Sequence, residues 1–157
     1  MRQKQSRAEL ATLPQRSRLM ANVRKTSTST EIAIRNLIDD LSISFRTGAR
    51  DLPGSPDIVN DERRWAIFVN GCFWHAHAGC KYWTIPRSNR AFWRKKFRDN
   101  RARDQRKENE LKSLGYSVLV VWQCELKDVE TLKTSLLNFC RSSTDVGSKS
   151  SAVLHAL

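Results

Sequence analysis

Ten consecutive residues, Gly71-Cys72-Phe73-Trp74-His75-Ala76-His77-Ala78-Gly79-Cys80, bring two thiols, two imidazoles and two large aromatic rings together. Thiolate and imidazole are the preferred ligands of a tetrahedral zinc ion. This run supplies three of the four positions, as either Cys72-x4-His77-x2-Cys80 or Cys72-x2-His75-x4-Cys80. A fourth thiol, Cys124, follows the apolar run Val118-Leu119-Val120-Val121-Trp122, which reads as a strand able to return it to the same place and close a three-Cys, one-His site. The alternative is four buried free thiols.

A second chemistry is available at Asp57. Pro56-Asp57 heads a short strand and the next strand begins a few residues later, so the Asp57 carboxylate falls near the end of that neighbour, at Val69-Asn70. Hydrolases of phosphodiesters hold magnesium this way. The hard cation takes a carboxylate, a backbone carbonyl, waters and the substrate phosphate, and it stabilises the charge developing on that phosphate. Glu31, on the first helix, is a further acid that the fold could bring in. The competing roles are a cap after proline for Asp57 and a first-turn acid answering the helix dipole for Glu31.

The charge pattern names a partner class. Lys and Arg number 28 against 16 Asp and Glu, a formal charge of +12, and 18 of the 28 are arginine, whose forked guanidinium suits phosphate oxygens. Residues 87–107 hold ten of these cations against Asp99 and Asp104. Phe92, Trp93 and Phe97 are interleaved with them and, with Phe73 and Trp74, offer flat rings to stack on or wedge between bases. Nucleic acid is the expected polyanion. The chain opens on polar and basic residues and has no apolar stretch near eighteen residues, so a cytoplasmic protein without signal peptide or membrane span is expected. In a reducing compartment, cysteines grouped around histidines point to metal rather than to disulfides.

Periodicity predicts the elements that must position these groups. Thr30 is read as an N-cap with Glu31 in the first turn, and Ile34, Leu37, Ile38 and Leu41 follow at the spacing of a core-facing helix. Ile43 to Arg46 alternates like a short strand. Leu52-Pro53-Gly54-Ser55-Pro56 is a rigid turn entering Asp57-Ile58-Val59, and after a turn at residues 60–64 the run Trp65-Ala66-Ile67-Phe68-Val69 reads as a buried strand. Ser88 is placed to cap a long helix from about Asn89 to Leu114, closed by Gly115. The strand Tyr116 to Trp122 comes next, and Leu132, Leu136, Leu137 and Cys140 mark a last helix. The sum is an α/β domain, a mixed central sheet flanked by helices, with a right-handed crossover joining the Trp65 and Tyr116 strands. Composition predicts a flexible basic arm over residues 1–16, a domain over 17–141 and a disordered Ser-rich tail over 142–157. A short helix is expected near Arg16 to Val23, and a monomer overall.

Taken together these residues resemble the very-short-patch repair (Vsr) mismatch endonucleases. The resemblance runs through Ser17-Arg18-Leu19-Met20, Thr30-Glu31, Phe45-Arg46, Leu52-Pro53-Gly54-x-Pro56-Asp57, Ile67-Phe68-x-x-Gly71-Cys72-Phe73-Trp74-His75, Phe92-Trp93, Asn100, Arg103-Asp104, Leu114-Gly115 and Val121-Trp122-x-Cys124. It implies a restriction-endonuclease-like fold and an enzyme that nicks one DNA strand beside a T·G mispair left by deamination of 5-methylcytosine. Double-stranded DNA carrying that mispair would be the partner, with mismatch-repair proteins as further candidates. The other readings are a zinc-stabilised DNA-binding protein without catalysis and a restriction-type nuclease acting on unmodified sites.

By position, the resemblance implies that Asp57 binds magnesium with the Val69 carbonyl as second ligand, that His75 helps activate the attacking water, and that Glu31 supports the acid–base network. It resolves the choice between histidines in favour of His77, which with Cys72, Cys80 and Cys124 would form the structural zinc set. Phe73, Trp74 and Trp93 would wedge into the duplex. That insertion costs a few kcal/mol of stacking, less at a mismatch than at a paired step. Met20, Lys96 and Asn100 complete the expected DNA contacts, the last two lying four apart on one helix face. Two departures stand out. Asn70 occupies the place where the family usually has a second active-site histidine and related nucleases a lysine, and the stretch between His75 and Cys80 is one residue longer than expected.

Overall fold

An amphipathic stripe needs a sheet to cover, and the near-continuous apolar runs of three strands provide it. The computed structural model describes residues 28–142. Helix α1 spans Ser29–Asp40, strand β1 Ile58–Asn60, strand β2 Trp65–Asn70, helix α2 Arg90–Ser113, strand β3 Ser117–Trp122 and helix α3 Val129–Ser142, with a 3-10 turn over Gln123–Lys127. Strand β2 is central. It pairs antiparallel with β1, Ile58 opposite Ile67, and parallel with β3, Trp65 opposite Ser117 through Asn70 opposite Trp122. The parallel pair is joined through α2, so the α/β architecture with a mixed sheet is the one expected.

Side chains alternate across the sheet and sort the core into two faces. Ile58, Trp65, Ile67 and Val121 pack with Ile34 and Ile38 of α1 and with Leu132, Leu136 and Cys140 of α3. Val59 and Ala66 pack on the other face with Ala49, Leu111 of α2 and Tyr116. A third cluster, Ala76, Trp93 and Phe97 with Phe73, Trp74, Trp83 and Ile85, fastens the Cys/His loop to the first half of α2. Little of α2 is buried: Trp93 and Phe97, one turn apart, and Leu111 near its end are the buried residues among its 24. Among the described residues no helix is long and apolar enough to cross a membrane.

Local signals placed some boundaries differently from expectation. The cap of α1 is Thr28, not Thr30: its Oγ1 accepts from the Glu31 N–H at 3.2 Å and donates to the Glu31 carboxylate at 3.1 Å. The pair has the Thr-x-x-Glu spacing of a capping box, with both bonds made by the Thr28 hydroxyl, and this favours Thr28 over the two hydroxyls that follow it. Ser88 does not cap α2. That position belongs to Asn89 in the left-handed region (φ 53°), which makes no side-chain cap bond. Ile43 to Arg46 is not a strand, for only Arg46 forms an isolated bridge, to Val59. At its far end α2 closes as expected on Gly115 (φ 84°), whose N–H reaches the Lys112 carbonyl while the Tyr116 N–H reaches that of Leu111. These are the two bonds of a Schellman motif, and they turn the chain directly into β3. The arm over 1–16, the helix near Arg16 to Val23, Met20 and the tail beyond residue 142 lie outside the described residues.

Candidate active site and metal centre

The turn before β1 sets the acid in place. Asp57 donates its N–H to the Ile67 carbonyl (3.0 Å) and accepts the Val69 N–H on Oδ2 (2.8 Å), so its side chain caps the end of β2 as the strand spacing predicted. Gly54 lets the preceding turn approach. Its φ is +80°, and a Cβ there would lie 2.9 Å from the Lys107 Cβ and 3.0 Å from the Phe68 ring, so no other residue fits without displacement. Asp57, Glu31, Val69, Asn70 and His75 then face one open cleft of about 610 Å³. Burial pushes the Asp57 carboxyl up to about 6, the Val69 N–H and the more distant Arg35 and His75 offset this in part, and the neighbouring Glu31 charge adds to it. Glu31 is itself held by Thr28 and, at 3.4 Å, by Arg35. Asn70 ends β2 as one of two buried polar residues of the sheet.

The imidazole comes from the loop after β2. His75 donates its backbone N–H to Gly71 and its Nδ1 lies 2.7 Å from Asp104 Oδ2 on α2. Burial raises the Asp104 carboxyl, but the hydrogen bond and charge of His75, with Arg103 at 3.1 Å, outweigh it and hold the group below the usual carboxylate range. With Nδ1 occupied by a carboxylate, Nε2 is left to accept a proton. Two neighbours of Asp104 on the same helix hold the rest of the loop. Asn100 Nδ2 donates to the Trp74 carbonyl (2.9 Å) and Arg101 to the Ala76 carbonyl (2.6 Å). The latter secures a residue that is buried with φ 52°, a backbone region few side chains adopt. In the sequence Asp104 stood as an acid among cations and as part of the Arg103-Asp104 resemblance, with no role assigned to it. Its signal was the four-residue step from Asn100, which places both on one face of α2.

The four sulfur and nitrogen ligands converge as the His77 assignment requires. Ligand atoms of Cys72, His77, Cys80 and Cys124 all lie within 4.8 Å of one another, and Cys124 Sγ is 3.4 Å from His77 Nδ1. Vertices of a tetrahedron of zinc–thiolate bonds sit about 3.8 Å apart, so the set is close to binding geometry. The extra residue between His75 and Cys80 is absorbed at Ala78-Gly79, both exposed, with Gly79 at φ 73°. Trp122 lies flat on His77, centroids 4.0 Å apart and planes 4° from parallel, fixing the ring's orientation. Burial, then the neighbouring thiols Cys72 and Cys80, push Cys124 up to about 12, whereas the Tyr82 N–H helps hold Cys80 low.

A family model described as DNA mismatch endonuclease Vsr matches residues 8–81. Among the curated relatives, the type II nicking enzyme V.XorIIP of Xanthomonas oryzae pv. oryzae is 48% identical over 126 residues, covering 80% of this chain and 92% of its own. DNA mismatch endonuclease Vsr of Escherichia coli is 38% identical over 122 residues, 78% of each chain. The type II nicking enzyme V.NmeAIP of Neisseria meningitidis serogroup A is 33% identical over 137 residues, 87% of this chain and 97% of its own.

The chain belongs to the Vsr endonuclease family. It is therefore a DNA endonuclease. The expected DNA-facing residues are placed unequally. Phe73 packs edge-on against Trp74 (5.1 Å), Trp93 (5.4 Å) and Phe97 (5.5 Å). Phe73 and Trp74 keep part of their surface in solvent, but Trp93 is 5% exposed, so it backs the other two rings rather than presenting itself. Its neighbour Phe92 is 50% exposed. Lys96 is half-buried on α2, and Asn100 commits one amide N–H to the loop as described.

Proposed function

We propose that this Vsr endonuclease nicks one strand of duplex DNA beside a T·G mispair by magnesium-dependent hydrolysis of a phosphodiester. The observation that carries the reading is the shared cleft, where a half-buried carboxylate at the head of a strand shares the wall with an imidazole already paired with Asp104. The T·G preference is supported by the mismatch activity named in the family description and in the Escherichia coli relative.

The donor set fits a hard cation. Asp57 is half-buried and, among the described residues, has no cation in hydrogen-bond contact, and oxygen ligands from its carboxylate and the Val69 carbonyl suit magnesium. Bound there, magnesium would supply Lewis-acid stabilisation of charge on the scissile phosphate. His75 takes the proton of the attacking water on Nε2, and Asp104 holds the resulting imidazolium through Nδ1–H. Glu31, held by Arg35 at 3.4 Å, places a second carboxyl group on the same cleft wall as Asp57. Asn70 donates a hydrogen bond to a phosphate oxygen but neither takes nor carries a proton. Three thiols and an imidazole suit zinc, which in this reading ties Cys72, His77, Cys80 and Cys124 and so stiffens the loop bearing Phe73, Trp74 and His75. Phe73 and Trp74, backed by Trp93, insert at the mispair, while Met20, Lys96 and Asn100 contact the duplex around it.

A nicking assay on a T·G duplex, a T·A control and the Asp57→Ala variant tests this reading. Mismatch-dependent nicking that requires magnesium and is abolished by Asp57→Ala is expected. Binding without nicking would favour the non-catalytic reading to which Asn70 points, and cutting of the T·A control would favour a restriction-type nuclease.

A further inference from the structure

Charges around the cleft do not cancel pairwise. Among the described residues four carboxylates line it, and three have a cation beside them: Arg35 at 3.4 Å from Glu31, Arg103 at 3.1 Å from Asp104, and Lys112 at 3.9 Å from Glu108. The fourth, Asp57, is the one assigned above to a divalent cation. Arg103, also on the wall, is taken up by Asp104. Two cations of the same wall, Arg50 and Lys107, remain. Arg50 is exposed on the loop before the Pro53-Gly54 turn, and among the described residues no carboxylate lies within ion-pair distance of it. The Lys107 ammonium forms an i,i+3 ion pair at 3.7 Å with Glu110, an acid on the helix surface that does not line the cleft, so its charge is not spent on the cleft's own carboxylates.

Backbone packing fixes where these cations stand. Lys107 is rooted against the turn, since its Cβ would lie 2.9 Å from a Cβ at Gly54, three residues before Asp57. Arg50 reaches the same wall from the other end of that turn. A phosphodiester entering the cleft brings negative charge towards acids, and Asn70 at the end of β2 can offer it a hydrogen bond but no positive charge.

We propose that Arg50 and Lys107 form a phosphate clamp that grips the strand to be cut, one from the loop and one from α2, on either side of the turn that carries Asp57. The clamp rests on the nuclease reading for its purpose but not for its detection. A guanidinium engages two phosphate oxygens at once, and the ammonium on its long stem follows the backbone as a point charge. Together they supply the positive contact that the amide of Asn70 does not.

The test compares Arg50→Ala, Lys107→Ala and the double variant with Lys133→Ala, whose side chain pairs with Asp40 away from the cleft. Lys107→Ala retains the Cβ that packs beside Gly54, and Lys107→Arg serves as the conservative variant. Binding of a T·G duplex is followed by fluorescence anisotropy over a salt series without divalent metal, and nicking is followed with magnesium. The slope of log affinity against log salt should become shallower by about 0.9 for each single variant and about 1.8 for the double, and stay unchanged in Lys133→Ala. Nicking at saturating DNA should fall at least tenfold in the double variant, and Lys107→Arg should keep it. A double variant with the wild-type slope overturns the clamp, as does an equal loss in Lys133→Ala. A shallower slope in the double variant, beside a wild-type protein that nicks nothing, would support the clamp while refuting the nuclease reading.

Discussion

Asn100, Arg101 and Asp104 lie within a little more than one turn of α2, and between them they hold the Trp74 carbonyl, the Ala76 carbonyl and the ring of His75. The third contact sets the tautomer. An Asp104→Asn amide could still touch Nδ1, but it could donate as readily as accept and would not stabilise an imidazolium. The expected outcome for Asp104→Asn is a fall in kcat of about a hundredfold or more with KM little changed, the pattern of a group that matters chiefly in the transition state. Unchanged kcat in steady-state nicking assays would mean that His75 is not oriented through Asp104.

At the scale of elements, the weak link is residues 71–89, which connect β2 to α2 without a regular helix or strand. Two attachments hold the start of this segment: the aromatic cluster against α2, and the four-ligand knot that joins it to Cys124 after β3. Raised Cys72 and Cys124 thiols keep their protons when no ion is bound, so loading the knot releases protons and weakens as pH falls. Chelation, or Cys124→Ser, should therefore increase amide hydrogen exchange across residues 71–83 while the β2–β3 amides stay protected, and should abolish nicking. Equal deprotection of the sheet would show instead that the knot holds the whole fold.

Across the whole molecule, site and stability pull in opposite directions. Asp57 has a folded pKa of about 6 against roughly 3.9 for a free aspartate, so the folded state holds its proton more tightly than the unfolded one. Folding stability of the metal-free protein should then fall as pH rises from about 4 to about 6, with the full cost of about 2–3 kcal/mol present above that range. Asp57→Asn should recover most of it at pH 7, measured by denaturant unfolding in chelator, and the gain should vanish at pH 4. The same gain at both pH values would trace it to packing rather than charge. Added magnesium should stabilise the wild type and not Asp57→Asn.

Much of this was legible in residue order because it rests on short-range periodicity. The stripe of Ile34 and Ile38, the apolar run of Trp65 to Val69 and the Gly115 stop each follow from one helical turn, one short buried strand or one positive φ, as does the placement of Asp57 beside Val69. The Thr28 cap was also there to be read in Thr-x-x-Glu. The Cys/His run announced a metal site, but its residues alone allowed either histidine. Tertiary packing decided what depends on distance between distant segments: His75 turned to Asp104, 29 positions away; Trp122 laid on His77; Trp93 set behind Phe73; and Lys107 against Gly54. Such contacts are fixed by how α2 lies across the sheet and the loop, a rigid-body relation that a one-dimensional pattern does not encode.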